Sequence, residues 1–353
     1  MNGHLAKFQF GMHFGFLAGP GYYSSREARD QVDQMALIGV RWICLNVAVL
    51  QDHFASLHIY QDFRLSPADH EVVEIIAYIH KKGLSVFLRP VLELQDGTWR
   101  GRIRFPEENV QVIPGRSQTL WSQWFDSLRP CLCHYAKLAQ QTGAELFSIG
   151  CEMDGTLFQH EQYQRTIKAV REVYAGLVTY CADWPPIEAA RTWVEHGLTE
   201  GDDWIQPAYE PWYKDLDCLC TSYYTTVAGE PGASVADMQG KMAIDREIFR
   251  ALHQRIGKPI ILGEAGCRSV RGGAMLPWAF QRIDRYDPQE QVNYMKALYS
   301  TFKNEPWCAG IYWWKWQALV DRPENSTDPA GDTGFSLSGK PGLTELRSIF
   351  TQP

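Results

Sequence analysis

No stretch of this 353-residue chain approaches the roughly 18 apolar residues in a row that a membrane-spanning helix needs. A basic excess is missing too. Lys and Arg number 34 against 41 Asp and Glu, giving a net charge of −7, and no basic cluster stands out. The expectation is a partner that is neither membrane nor nucleic acid. Met1 to Lys7 (MNGHLAK) lacks the apolar core of a secretory leader, so a cytoplasmic protein is expected, or a secreted one if a leader was trimmed. Gly15 to Gly21 (GFLAGPG) lacks the G-x-G-x-x-G spacing of a dinucleotide loop and reads as a turn. The His-x-His of a metal-dependent hydrolase barrel is absent from Gly11-Met-His13-Phe-Gly15, where His13 reads as a hydrogen-bonded core residue. Cys131-Leu-Cys133 and Cys218-Leu-Cys220 have no histidine at zinc-finger spacing. Neither metal nor other cofactor is expected. Internal repeats, low-complexity tracts and linkers are also lacking, which makes residues 1–353 one domain.

What the chain does have is apolar and aromatic residues. Hydrophobic residues make up 45%, enough for a large core, and 13 Trp, 16 Tyr and 16 Phe exceed the usual needs of packing. Flat aromatic faces suit stacking on sugar rings. The nine cysteines are odd in number, and Cys44, Cys218 and Cys220 lie in apolar strand-like runs. Free buried thiols are expected rather than a disulfide scaffold.

The organising stretch is Lys258-Pro-Ile-Ile-Leu-Gly-Glu264-Ala-Gly266. A short apolar run closed by glycine reads as a buried strand of a parallel sheet, here with one carboxylate at its carboxyl end. Glu145-Leu-Phe-Ser-Ile-Gly-Cys-Glu152 has the same form. Around them the chain alternates strand and helix patterns. Strands are expected at Phe8–Phe16, Arg41–Val47, Leu84–Pro90, Glu145–Glu152, Leu177–Trp184, Asp217–Tyr224, the run to Glu264, and Ala309–Trp316. Helices are expected after Ser24 or Ser25, after Ser66-Pro67, and over 121–141, 161–174, 235–256, 289–303 and 343–350, with a long loop at 93–119 and a Pro- and Trp-rich connection after strand five. Eight such alternations predict an α/β fold, a (β/α)8 TIM barrel.

Strands four and seven of such a barrel face each other across its mouth, where barrel chemistry sits. Two carboxylates there are what glycoside hydrolysis requires, as acid and nucleophile when about 5–5.5 Å apart or as acid and base when about 6.5–9.5 Å apart. Each glutamate alone fits a buried ion pair or a helix cap equally well; the pair favours chemistry. Asn46, Arg89, Asp183, Tyr224 and Arg268 are further strand-end polar groups. Trp99, Trp184, Trp314 and Trp316 are candidate sugar-stacking walls, each of which also fits a core position.

Six stretches in order carry a resemblance. They are Thr98-Trp-Arg-Gly101, Phe147-Ser-Ile-Gly-Cys-Glu152, Ile167–Tyr174 (IKAVREVY), Thr179-Tyr-Cys-Ala-Asp-Trp184, Gly263-Glu-Ala-Gly-Cys-Arg-Ser269 and Tyr312-Trp-Trp-Lys-Trp316. Together they resemble family 113 of the glycoside hydrolases, β-mannanases of the large retaining (β/α)8 clan, over roughly residues 8 to 350. The resemblance implies Glu152 as acid/base, Glu264 as nucleophile, Tyr224 near Glu264, and β-1,4-linked mannan or manno-oligosaccharides as the saccharide partner. Asn46, Arg89, Trp99, Arg100, Trp184, Tyr224, Arg268, Trp314 and Trp316 would line the substrate path. Where the clan usually has Asn before the acid/base, this chain has Cys151. Two other readings stand beside it: a retaining glycosidase for another β-glycan (glucan, galactan or xylan), and a carbohydrate-binding barrel without turnover.

Overall fold

A computed structural model describes residues 5–351 apart from 107–108, 114–115, 184, 198, 200–202, 282–283 and 317–330. Among these residues, eight parallel strands form the barrel: β1 (Gln9–Phe14), β2 (Trp42–Gln51), β3 (Ser85–Leu94), β4 (Leu146–Cys151), β5 (Leu177–Ala182), β6 (Leu219–Tyr223), β7 (Ile260–Ala265) and β8 (Cys308–Trp313). Each pairs with its sequence neighbour, and β1 pairs with both β2 and β8, so the sheet closes. The strands read as continuous apolar runs because the outer face packs on helices and the inner face fills the barrel. Trp42 and Cys44 of β2, Phe87 of β3, Cys181 of β5, Cys220 of β6 and Tyr312 of β8 belong to a separate buried cluster that supplies this inner filling. All nine cysteines are free, as expected, and seven of them are buried.

The surrounding helices are α1 (Arg26–Leu37), α2 (Asp69–Lys81), α3 (Leu120–Thr142), α4 (His160–Arg171), α5 (Pro185–Glu195), α6 (Val235–Ile256), α7 (Pro288–Phe302) and α8 (Pro341–Thr351). Their ends follow local chemistry. The Ser25, Thr119 and Ser234 hydroxyls accept backbone N–H groups at the starts of α1, α3 and α6. Gly143 and Gly257, both left-handed, stop α3 and α6.

Three departures from the sequence expectation shape the mouth. First, Asn46 and Arg89 do not end their strands. They are register partners midway along β2 and β3, which continue together to Gln51 and Leu94. The apolar Val47–Leu50 and Val91–Leu92 that follow them extend this wall beyond the level of the polar pair. Second, the loop predicted over 93–119 contains an antiparallel hairpin, Asn109–Ile113 with Arg116–Thr119. Third, the Pro- and Trp-rich connection begins with α5. Pro185-Pro186 hides this helix from a reading that takes prolines as breakers, although proline suits a first helical turn.

Candidate active site

Glu264 sits near the end of β7 with only 5% of its surface exposed. The fully buried Arg89 donates from Nη1 to Glu264 Oε1 at 2.5 Å, and the Tyr224 hydroxyl donates to Oε2 at 3.0 Å. Arg89 is itself held by Asn46, whose Oδ1 accepts from Nε at 2.9 Å while its Nδ2 donates to the Phe14 carbonyl at 3.0 Å. Burial works against the Arg89 charge, but Cys151 and Glu264 beside it more than compensate and keep the guanidinium charged. Burial, reinforced by the charges of Glu264 and Glu152, lifts the Tyr224 phenol well above its usual range, so this hydroxyl stays a donor.

Glu152 follows β4 directly, in a left-handed conformation (φ 50°) uncommon for a residue with a Cβ. The β4–β5 register shifts between Ser148 and Cys151, and the Glu152 N–H pairs with the Cys181 carbonyl at 2.9 Å. Such an irregularity at a strand end re-aims a side chain. The Glu152 carboxylate meets Arg100, whose Nη1 donates to Oε2 at 2.9 Å, and the Trp99 indole N–H reaches the same oxygen at 3.4 Å. Two glycines let this loop lie so close. A Cβ on Gly101 would sit 2.3 Å from the Trp99 ring, and one on Gly155 would sit 2.1 Å from the Ile103 carbonyl oxygen.

One oxygen of Glu152, one of Glu264 and Cys151 Sγ lie within 4.8 Å of one another. Such a trio has metal-ligand spacing, but each carboxylate already carries an arginine, and two guanidiniums oppose a cation. Two carboxylates this close, one on a buried ion pair and one open to the mouth, can serve as a nucleophile and a proton donor. Just beyond Glu152, burial lifts the Asp154 carboxyl to about 7; the Glu152 charge adds to this and a hydrogen bond with Asp183 opposes it.

The structure therefore gathers Arg89, Asn46 and Tyr224 around Glu264, and Trp99 and Arg100 around Glu152. Asn46 and Arg89 are buried and committed to each other and to Glu264, so they support the carboxylate from behind. Trp314 is half-buried at the end of β8, with Arg89 5.8 Å from its ring centre and His13 in edge contact at 5.0 Å. Two further expected residues are engaged with other elements. Trp316 belongs to the hydrophobic core and donates its indole N–H to Gln31 of α1 at 2.6 Å, which makes it wall packing rather than a sugar platform. Arg268 donates to the Thr333 and Ala279 carbonyls, tying the loop after β7 to the segment before α8. Its long side chain is drawn away into loop architecture. Trp184 lies outside the described residues. Glu93, absent from the sequence-based candidates, is an Arg100 partner; its place four residues after Arg89 on one strand was the available signal.

His13 is buried under this network and bonds the Gly263 carbonyl through Nε2. Burial, then the nearby Arg89 charge, pushes its pKa well below 6.5. The folded state thus takes up a proton less readily than the unfolded chain, and stability is lost as pH falls below about 6.5. His13→Gln should flatten the decline of melting temperature between about pH 6.5 and 5. An unchanged slope would assign the acid sensitivity to other groups.

The model of Glycoside Hydrolase Family 113 matches residues 12–340. Among solved structures, one titled as a complex of a GH113 β-1,4-mannanase is similar over 98% of this chain and 100% of its own, with 25% identity and a TM-score of 0.79. The GH113 β-mannanase AaManA from Alicyclobacillus acidocaldarius, in complex with ManMIm, gives 26% identity and a TM-score of 0.79, over 98% of this chain and 97% of its own. An exo-β-1,4-mannosidase from Opitutaceae bacterium strain TAV5, 17% identical with a TM-score of 0.60 over 97% of this chain and 59% of its own, shares the fold. No curated protein sequence matches significantly.

Proposed function

The chain belongs to glycoside hydrolase family 113, and from that premise we propose that it hydrolyses β-1,4-mannosidic linkages, in mannan or manno-oligosaccharides, with retention of configuration. Glu264 is the nucleophile and Glu152 the acid/base. Glu264 attacks the anomeric carbon while Glu152, in its acid form, protonates the departing glycosidic oxygen. Water then attacks the glycosyl-enzyme, giving its proton to Glu152. Arg89 and Tyr224 hold the Glu264 carboxylate and keep it aimed. Trp99 and Trp314 flank the two carboxylates as aromatic surfaces for sugar rings. The β-mannan substrate follows the similar GH113 structures, whose titles name β-1,4-mannanases.

The observation that carries the mechanism is the 4.8 Å limit on the spacing of the carboxylate oxygens. It lies nearer the gap of about 5–5.5 Å of a retaining pair than the roughly 6.5–9.5 Å that an inverting pair keeps for its water. Two successive inversions should release β-configured product first. Proton NMR in the first minutes of mannotetraose hydrolysis, before mutarotation mixes the anomers, reads this directly. Initial α product would overturn the role of Glu264. Turnover of β-glucans with none of any β-mannoside would instead overturn the substrate.

A further inference from the structure

An arginine on a general acid is a chemical conflict. A guanidinium 2.9 Å from a carboxylate favours the anion. That suits Glu152 in the second step, when it must be a base, and opposes the first, when it must hold a proton. The residue that answers the conflict is on the same guanidinium. Arg100 Nε donates to the Leu92 carbonyl at 2.8 Å, which fixes the plane of the fork. Nη1 then points to Glu152, and Nη2 to Glu93 in a short ion pair. Glu93 lies near the end of the β3 extension, beyond the level of Arg89. All three side chains are largely withdrawn from solvent, at 25% exposure for Glu93, 10% for Arg100 and 13% for Glu152. Their charges are therefore weakly screened.

We propose that Glu93, acting through Arg100, is a positioning residue that balances the proton state of Glu152. With Glu93 in place, Glu152 faces a neutral ion pair rather than a lone cation, and it can alternate between acid and base within one catalytic cycle. The fork also leaves Oε2 of Glu152 accepting from both Arg100 and Trp99, so the acid proton sits on Oε1. Among the described residues, the other charged or titratable groups recorded around Glu152 are Cys151 and Asp154 on its own strand end, Asp183 after β5, Tyr224 after β6, Glu264 of β7 and, beyond Cys151 and Glu264, Arg89 of β3. None of these is shared with Arg100 in the way Glu93 is.

The inference rests on Glu152 being the acid/base, and the experiment separates the two. The pH–rate profile of kcat/KM is measured on mannotetraose for the wild type, Glu152→Gln, Glu93→Gln and Arg100→Met. Glu93→Gln leaves the guanidinium uncompensated, so the alkaline limb should move down by about one pH unit. Arg100→Met removes the cation, so the limb should move up by a similar amount. Structural damage alone would lower rates without shifting the limbs in opposite directions. Arg100→Lys retains the charge and should leave the limb nearer to wild type than Arg100→Met does; if Arg100→Met fails to fold, this variant and Glu93→Gln decide. Limbs that stay in place, or that move the same way, overturn the role of Glu93. An alkaline limb that persists in Glu152→Gln overturns the assignment of Glu152 instead.

Discussion

Glu264→Gln should lower turnover of every substrate by about four to six orders of magnitude, the scale seen when a covalent nucleophile is removed. The amide keeps the shape of the carboxylate, its oxygen can accept from Arg89 and its NH2 can donate to the Tyr224 hydroxyl oxygen, so the main loss is of chemistry rather than of packing. Glu264→Ala is a different experiment. A carboxylate at an open strand end would contribute little to stability, but this one is buried and ion-paired with Arg89. Truncation leaves a guanidinium buried without its partner, at a cost of about 3–5 kcal/mol. The pair of variants therefore separates two quantities. Initial rates on mannotetraose should fall in both, whereas the denaturant midpoint should fall mainly in Glu264→Ala. Activity above about 1% of wild type in freshly purified Glu264→Gln would remove Glu264 from the nucleophile's place.

The barrel and its two glutamates were legible because both signals are local. Strands of a parallel barrel are apolar on both faces, so a run such as Ile260–Ala265 announces itself, and a lone carboxylate at its end stands out. Ser25 marks the start of α1 for an equally local reason, its hydroxyl accepting from the first turn. Side-chain direction was not legible. Trp314 and Trp316 differ by two positions at the end of one strand, yet one lies beside Arg89 and the other packs on α1, because the chain leaves the regular strand after Trp313. Period-two logic fails where the strand does. Arg268 shows the same limit: proximity in sequence to Glu264 says nothing about a long side chain that reaches the segment near Thr333. Glu93 does not stand out in the sequence because Asn46 and Arg89 read as strand ends, whereas β2 and β3 continue past them. Once β2 and β3 are seen to run on in register, the β3 extension carries both Glu93 and the carbonyl that anchors Arg100.

Glu152→Ala should split substrates by leaving group. Mannotetraose needs a protonated leaving oxygen, so its turnover should fall by about 10²–10⁴, the usual worth of general acid–base catalysis. A 2,4-dinitrophenyl β-mannobioside departs without help, and its first step should be nearly unchanged. Its second step still lacks a base, so the glycosyl-enzyme should accumulate and the dinitrophenol should appear as a burst. Azide needs no base to attack and is small enough to enter the space left by the shortened side chain. It should therefore restore steady-state release and yield a β-configured glycosyl azide, since it attacks an α-linked intermediate from the face that water uses. Arg100 sharpens this prediction. In Glu152→Ala the Arg100–Glu93 pair remains, and the Nη1 group that served Glu152 is freed as a donor to the azide anion. Rescue should accordingly be weaker in the double variant Glu152→Ala/Arg100→Met. Equal loss on both substrates with no azide product would assign the proton donor to another residue, and an α-azide would show attack on a substrate rather than on a covalent intermediate.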